Sequence, residues 1–244
     1  MRKILTICLL VFLVFFERSI SAEEINLGYI DFPPYEFRED NQAKGIMVKI
    51  VTTLFKRADV SLTLKYLPFK RAYILTKQGE IDGLFSFTKT KERLELFDFT
   101  DPIIDNPIVF FVRKDADIQF ETLEDLKGLT IGVMRGYSYG PEFDNSPIFI
   151  REKSDSHLSN FKKILSARIH VYPCDKLVGL YILNKEKLTS EFRTLSRPLT
   201  IKFGHIGFTK GKHDKIIGKI NTEIKKMQQD GEVNNIIFDW YFSH

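Results

Sequence analysis

Along this chain apolar residues recur first at every second position and then at every third or fourth, and the two periods alternate. Ile25 to Ile30 and Val60 to Leu67 have the period of strands, the second with Leu62, Leu64 and Tyr66 on one face. Between them Ile46, Ile50, Val51, Leu54 and Phe55 stand at helical spacing behind Gly45, and Lys56-Arg57 close the segment where cations suit a helix terminus. A second helix through Ala72, Ile74 and Leu75 stops at Gly79, and Ile81 to Phe87 reads as a third strand. The order β-α-β-α-β predicts a parallel sheet with right-handed crossovers.

After the break at Asp101-Pro102 and Asn106-Pro107 the pattern starts again. Ile108 to Val112 is a strongly apolar strand, and Thr122 to Gly128 is a short helix with a capping-box-like start and a glycine stop. Leu129 to Met134 is a buried strand and Ile148 to Arg151 a short one. Leu158, Phe161, Ile164 and Leu165 mark a helix. Leu199 to Thr209 is extended and apolar. Two helices finish the chain, His213 to Gln229 and, after Asp230-Gly231, Glu232 to Phe242.

Composition adds a core and removes some partners. The hydrophobic fraction is 43% with 22 Phe, enough for a large core. The net charge is +4, and without residues 1–22, which hold Arg2, Lys3, Arg18 and Glu17, it is +2. That balance, with no basic stripe carrying interleaved aromatics, argues against nucleic acid. Arg2 and Lys3 precede the apolar run Ile4 to Phe16, and Ser19-Ile20-Ser21-Ala22 supplies small residues before Glu23-Glu24, the layout of a cleavable secretory signal. The run is shorter than the roughly 20 residues of a spanning helix. The expectation is a protein exported to the periplasm after loss of residues 1–22. Cys8 leaves with that leader, so Cys174 is unpaired, either buried as a small hydrophobe or reactive; the apolar Val171-Tyr172 before it favours the first.

Candidate chemistry gathers where strands end. Ser86 and Thr88 share one strand face, and Arg93, a few residues on, offers a planar fork of donors that matches a carboxylate. On residues alone the same stretch also reads as a surface turn with Arg93 paired to Glu92 or Glu95. Pro33-Pro34 excludes helix and ladder after the first strand, so Phe32 and Tyr35 are displayed on a fixed loop at the strand's carboxyl end, where open α/β sheets bind ligands. Arg71 stands in a first helical turn, against the dipole, either as a functional cation or as part of a solvated face with Lys70 and Lys77. Gly136-Tyr137-Ser138-Tyr139-Gly140 is a turn into a helix whose N–H groups could meet an anion.

Several of these runs together carry a resemblance. Gly-Leu-Phe-Ser86-Phe-Thr88-Lys-Thr-Lys-Glu-Arg93 followed by Phe-Asp-Phe-Thr-Asp-Pro, the stretch Thr122 to Gly136, Ala167 to Asp175, and the C-terminal Gly-Phe-Thr-Lys-Gly with its two helices resemble bacterial extracellular solute-binding proteins of family 3, the polar amino-acid binders of ABC transport. The likeness runs from Ile25 to Phe242. It departs at Met47, where the family often has an acid, and at His170, where it usually has Asp; a lone His there is most simply structural.

The resemblance implies a type II periplasmic-binding-protein fold, α/β in class, with two lobes joined by two crossovers near Asp105 to Phe111 and Leu199 to Gly204. Residues 23–108 and 204–244 would form lobe 1, and residues 109–203 lobe 2. It also implies that Arg93 clamps a ligand carboxylate with help from Ser86 and Thr88, that Asp175 receives the α-ammonium, and that Phe32, Tyr35, Tyr137 and Ser138 complete the site, to which Arg71 is a further candidate on its own placement. The function implied is capture of a small polar carboxylate, foremost an amino acid, as a monomer serving an inner-membrane ABC permease, without cofactor or metal. The alternatives are an orphan sensory binding protein and a cyclohexadienyl-dehydratase-like enzyme, for which Asp175 or Glu36 would be the general acid.

Overall fold

The computed structural model describes residues 24–243. The leader proposed for residues 1–22 lies outside them. Among the described residues no helix is long and apolar enough to cross a membrane.

The first half of the chain builds a parallel sheet. β1 (Glu24–Tyr29) pairs on one side with β4 (Ser61–Tyr66) and on the other with β5 (Gly83–Phe87), all parallel. The crossovers are α1 (Ile46–Arg57) and α2 (Phe69–Gln78). Ile46, Ile50, Val51 and Leu54 of α1 are fully buried, as their spacing requires. A small hairpin, β2 (Phe37–Glu39) and β3 (Gln42–Lys44), intervenes before α1. Its turn, Asp40-Asn41, has φ of 50° and 59°, a two-residue connection that suits Asp and Asn. This hairpin escapes the sequence pattern because its strands are three residues long.

A second sheet half has the same parallel logic. β8 (Thr130–Met134) lies between β9 (Ile150–Ser154) and β10 (Val171–Asp175), parallel to both, with α5 (His157–Leu165) packed against it. Before these come α3 (Lys91–Leu96) and β6 (Phe97–Phe99), and α4 (Pro141–Asn145) follows β8. After β10 the chain forms α6 (Lys176–Lys185), β11 (Phe192–Thr194), α7 (Asp214–Gln229) and α8 (Glu232–Ser243). The capping box at Thr122 is present, with Asp125 as its acidic partner, and opens a 3-10 turn over Leu123–Leu126.

Two long strands, β7 (Ile104–Arg113) and β12 (Thr200–Thr209), join the halves. They pair antiparallel over Ile104 to Ile108 and Thr200 to Gly204. Beyond that stretch β7 continues against β10, and β12 continues against β5 and β6. The sheet order is therefore β4-β1-β5-β12-β7-β10-β8-β9. The molecule is the two-lobed α/β type II arrangement, and its two connecting segments form one short ladder. The core follows: Phe110, Val112, Ile131 and Phe143 fill the second lobe, while Leu27, Ile50, Phe85 and Phe208 fill the first.

Candidate functional site

Between the lobes is a cleft of about 200 Å³. That is room for one small organic molecule, since a cavity of about 150 Å³ admits benzene. Phe32, Tyr35, Ser86 and Thr88 line it from the first lobe and Tyr137, Ser138 and Asp175 from the second. Arg71 and Arg93 do not line it.

The aromatic loop is held by the helix after it. The backbone N–H groups of Ile46 and Met47 donate to the carbonyls of Pro34 (2.9 Å) and Tyr35 (2.7 Å), so the first turn of α1 is spent on fixing this loop. Gly45 makes the approach possible. Its φ is 122°, and a Cβ there would lie 2.4 Å from the Tyr35 carbonyl oxygen. Tyr35 is stacked on Phe32 with ring centroids 5.2 Å apart, and its hydroxyl crosses the cleft to donate to both oxygens of Asp175 at 2.8 and 2.9 Å.

Asp175 ends β10 and caps α6: its Oδ1 accepts from the N–H groups of Leu177 and Val178, each at 3.0 Å. Asn106 on the crossing strand β7 donates to Oδ2 at 3.4 Å. Burial raises the carboxyl's pKa, and the hydrogen bonds from Val178, Tyr35, Asn106 and Leu177 pull against that. Oδ1 faces three donors and Oδ2 two, the Asn106 bond being the longest of the set. Tyr35 in turn loses its proton only far above the ordinary range, because it is buried and faces Asp175.

Behind the loop sits Glu36, completely buried. Burial pushes its pKa well up, against smaller opposing effects from the Ser86 hydroxyl and the Ile30 backbone. No hydrogen bond of good geometry closes on either carboxyl oxygen or on the Ser86 hydroxyl. Ser86 has a φ of 52°, a left-handed conformation that only a few per cent of residues other than glycine adopt. The residue lines the cleft, but its hydroxyl oxygen is buried on the side of Glu36.

Arg93 lies elsewhere. Thr90 caps α3 by accepting from the Arg93 N–H at 3.2 Å, and the guanidinium donates to the Thr88 carbonyl at 2.8 Å. The guanidinium stands 4.2 Å from the centroid of Phe87, whose ring belongs to a cluster with Tyr73, Phe97 and Phe99. A guanidinium is weakly hydrated and stacks well on aromatic faces, which accounts for this position. Burial lowers its pKa. Arg71 is exposed in the first turn of α2.

The Gly136–Gly140 turn also differs from its expectation. The anion at the start of α4 is the protein's own Asp144, which accepts from the Ser138 hydroxyl (2.5 Å), the Tyr139 N–H (3.1 Å) and the Gly140 N–H (3.3 Å). Pro141 brings no N–H of its own. Ser138 faces the cleft with its hydroxyl already donated. Tyr137 remains free at the mouth, 55% exposed.

Sequence reasoning missed several lining residues. His157 Nδ1 and the Tyr172 hydroxyl share a hydrogen bond of 2.5 Å, and Cys174 Sγ is 3.4 Å from the same nitrogen. Burial lowers the His157 pKa, so the imidazole is neutral, and raises that of the Cys174 thiol, so it is protonated. Cys174 is thus an inert buried thiol, the first of its two sequence readings. His170 is structural: its Nδ1 accepts from the Thr130 N–H at 2.9 Å. Asn106 and Lys202, also missed, are register partners on the crossing ladder. Their signal is faint: Asn106 stands in a break before a proline, and Lys202 is one of several polar residues in its extended run.

A two-lobed α/β molecule with a polar-aromatic cleft between its lobes belongs to the type II periplasmic binding proteins in fold. Residues 25–244 match the family model of bacterial extracellular solute-binding proteins, family 3, and the chain belongs to that family. It is 24% identical over 215 residues to the arginine-binding extracellular protein ArtP of Bacillus subtilis, covering 86% of this chain and 83% of that one. It is 23% identical over 213 residues to the L-cystine-binding protein TcyJ of Escherichia coli, covering 86% and 79%. Among solved structures, the second substrate-binding domain of a putative amino acid ABC transporter from Streptococcus pneumoniae matches with a TM-score of 0.76 at 20% identity, over 89% of this chain and 99% of that one.

Proposed function

We propose that this solute-binding protein captures a small amino acid or closely related carboxylate between its lobes and delivers it to an ABC permease. It acts as a monomer in the periplasm, after loss of residues 1–22, and binds without chemical conversion. The observation that carries the reading is Asp175, a buried carboxylate that lines the cleft with no lysine or arginine paired to it among the described residues, and whose bond from the Tyr35 hydroxyl a ligand ammonium could replace. A ligand ammonium placed there would be compensated, as a buried charge must be. Phe32, Tyr35 and Tyr137 supply faces that exclude water. Family membership and the amino-acid-binding relatives support the ligand class. We place the lobe boundaries at residues 108 and 204, where the β7–β12 ladder ends.

The test is a thermal-shift screen against amino acids, small acids and amines, followed by calorimetry on Asp175→Asn. An amino acid should raise the melting temperature, and Asp175→Asn should weaken it by about ten- to a hundredfold, the value of a hydrogen bond to a charged group. Undiminished binding to Asp175→Asn would remove the ammonium site.

A further inference from the structure

A ligand closed between the lobes leaves each charge in the cleft in need of a partner, because a buried charge is costly unless it is paired. We infer that the ligand is an acidic amino acid, and that Lys202 on the crossing strand β12 selects it by holding the side-chain carboxylate. The inference rests on the amino-acid reading of the cleft and names the side chain which that reading leaves open.

The two ends common to all amino acids have their own partners. Asp175, on the cleft wall, is proposed for the α-ammonium. Arg93 stands beside the wall, where it donates one N–H to the carbonyl of Thr88, a lining residue. A guanidinium has five such donors, so Arg93 keeps the capacity to clamp the α-carboxylate. Lys202 is then a cation left over. It is the one lysine or arginine lining the cleft among the described residues. Its register partner is Asn106, so the two side chains rise from one face of the ladder, and the Asn106 amide donates to Asp175 Oδ2. The Lys202 ammonium donates to the Ser138 carbonyl at 3.0 Å, and among the described residues no carboxylate lies within ion-pairing distance of it. An ammonium has three N–H donors, so two remain for a ligand.

No neighbouring acid takes this charge. Glu36 lies behind the wall, and burial holds its pKa well up. Asp144, which binds the Ser138 turn, does not line the cleft and is answered by that turn's own donors and by Arg151. Two cations, Arg93 and Lys202, therefore stand against one acid, Asp175. A neutral amino acid leaves this excess of positive charge, a cationic one adds to it, and an acidic one cancels it.

Calorimetry with the standard L-amino acids tests this on the wild type and on Lys202→Met, with a melting temperature to check that the variant is folded. Glutamate and glutamine differ by one charge in nearly the same shape, and so do aspartate and asparagine. The wild type should bind glutamate or aspartate at least about tenfold more tightly than the matching amide, and arginine more weakly than either; this comparison needs no variant. Lys202→Met should lose about ten- to a hundredfold in affinity for the acid, keep its affinity for the amide, and so bind the two alike. A lysine that only braced the Ser138 turn would, on removal, weaken acid and amide together. That result overturns the inference and leaves the amino-acid reading intact, as does a full acid preference in Lys202→Met, or a wild type that binds a neutral or cationic amino acid as tightly as the acids. A wild type that binds none of the amino acids overturns that reading, and this inference with it.

Discussion

At the residue scale, the charged groups divide by what already satisfies them. Arg93 and Ser138 have the chemistry expected of ligand contacts; Arg93 stacks on Phe87 and gives one of its N–H donors to the Thr88 carbonyl, while the Ser138 hydroxyl is already donated to Asp144. A side chain's type is visible in a sequence. Whether the fold has already used it is not, because the partner comes from a face that only packing defines. Glu36 shows the converse: a loop carboxyl is completely buried, and that burial holds its pKa well up. Its folded pKa lies well above the ordinary 4.5, so between those two values the native state holds one more proton than the unfolded state. The free energy of unfolding must then fall as pH rises, by up to about 1.4 kcal/mol per pH unit from this group. Asp175, also raised, adds to the slope in the same direction. Chemical denaturation of Glu36→Gln between pH 5 and pH 7 should show a shallower decline than the wild type; superimposable slopes would mean that Glu36 is ionised in the native protein.

At the element scale, the strands and helices that pack by period were legible and the short ones were not. Ile46 to Phe55 and Ile216 to Met227 bury the residues their 3.6-residue repeat selects. The helix α6 has almost no sidedness, with apolar residues all round it, and it escapes a reading by period. Its start is fixed by the Asp175 cap, so the residue chosen as a ligand contact is also a folding signal. The joint between loop and helix at Gly45 sets the position of Tyr35. Alanine there would force a Cβ against the Tyr35 carbonyl and the Glu36 nitrogen, at 2.4 and 2.8 Å, in a conformation that L residues rarely adopt. Gly45→Ala should lower stability by about 2 kcal/mol or more in a denaturant titration, and displace the aromatic loop enough to weaken ligand binding. An unchanged midpoint would mean the loop can move aside without loss, and that Tyr35 is not held as described.

At the scale of the whole molecule, the repeated β-α-β order made two α/β units legible, and the two apolar extended runs between them marked the crossovers. The ladder they form was not legible, because register depends on two strands about 100 residues apart. If the lobes turn about that ladder, as the proposed capture of a ligand requires, two contacts across the cleft oppose opening. Tyr35 donates to Asp175, and Tyr241 of α8 donates to the Leu177 carbonyl of α6 at 3.0 Å. The first of these uses the carboxylate proposed for the ligand's ammonium, so the protein's own hydroxyl partly takes the ligand's place in the closed form. Ligand binding favours closure only through contacts that the open form lacks. Removing the Tyr35 hydroxyl should therefore shift the free protein toward open and leave the liganded protein closed. A hydrogen bond of about 1 kcal/mol corresponds to roughly a fivefold change in the ratio of closed to open molecules. In small-angle scattering, Tyr35→Phe without ligand should have a larger radius of gyration than the wild type, and a saturating amino acid should bring the two together. A radius that is the same for both proteins, with and without ligand, would leave no hinge motion for Tyr35 to govern.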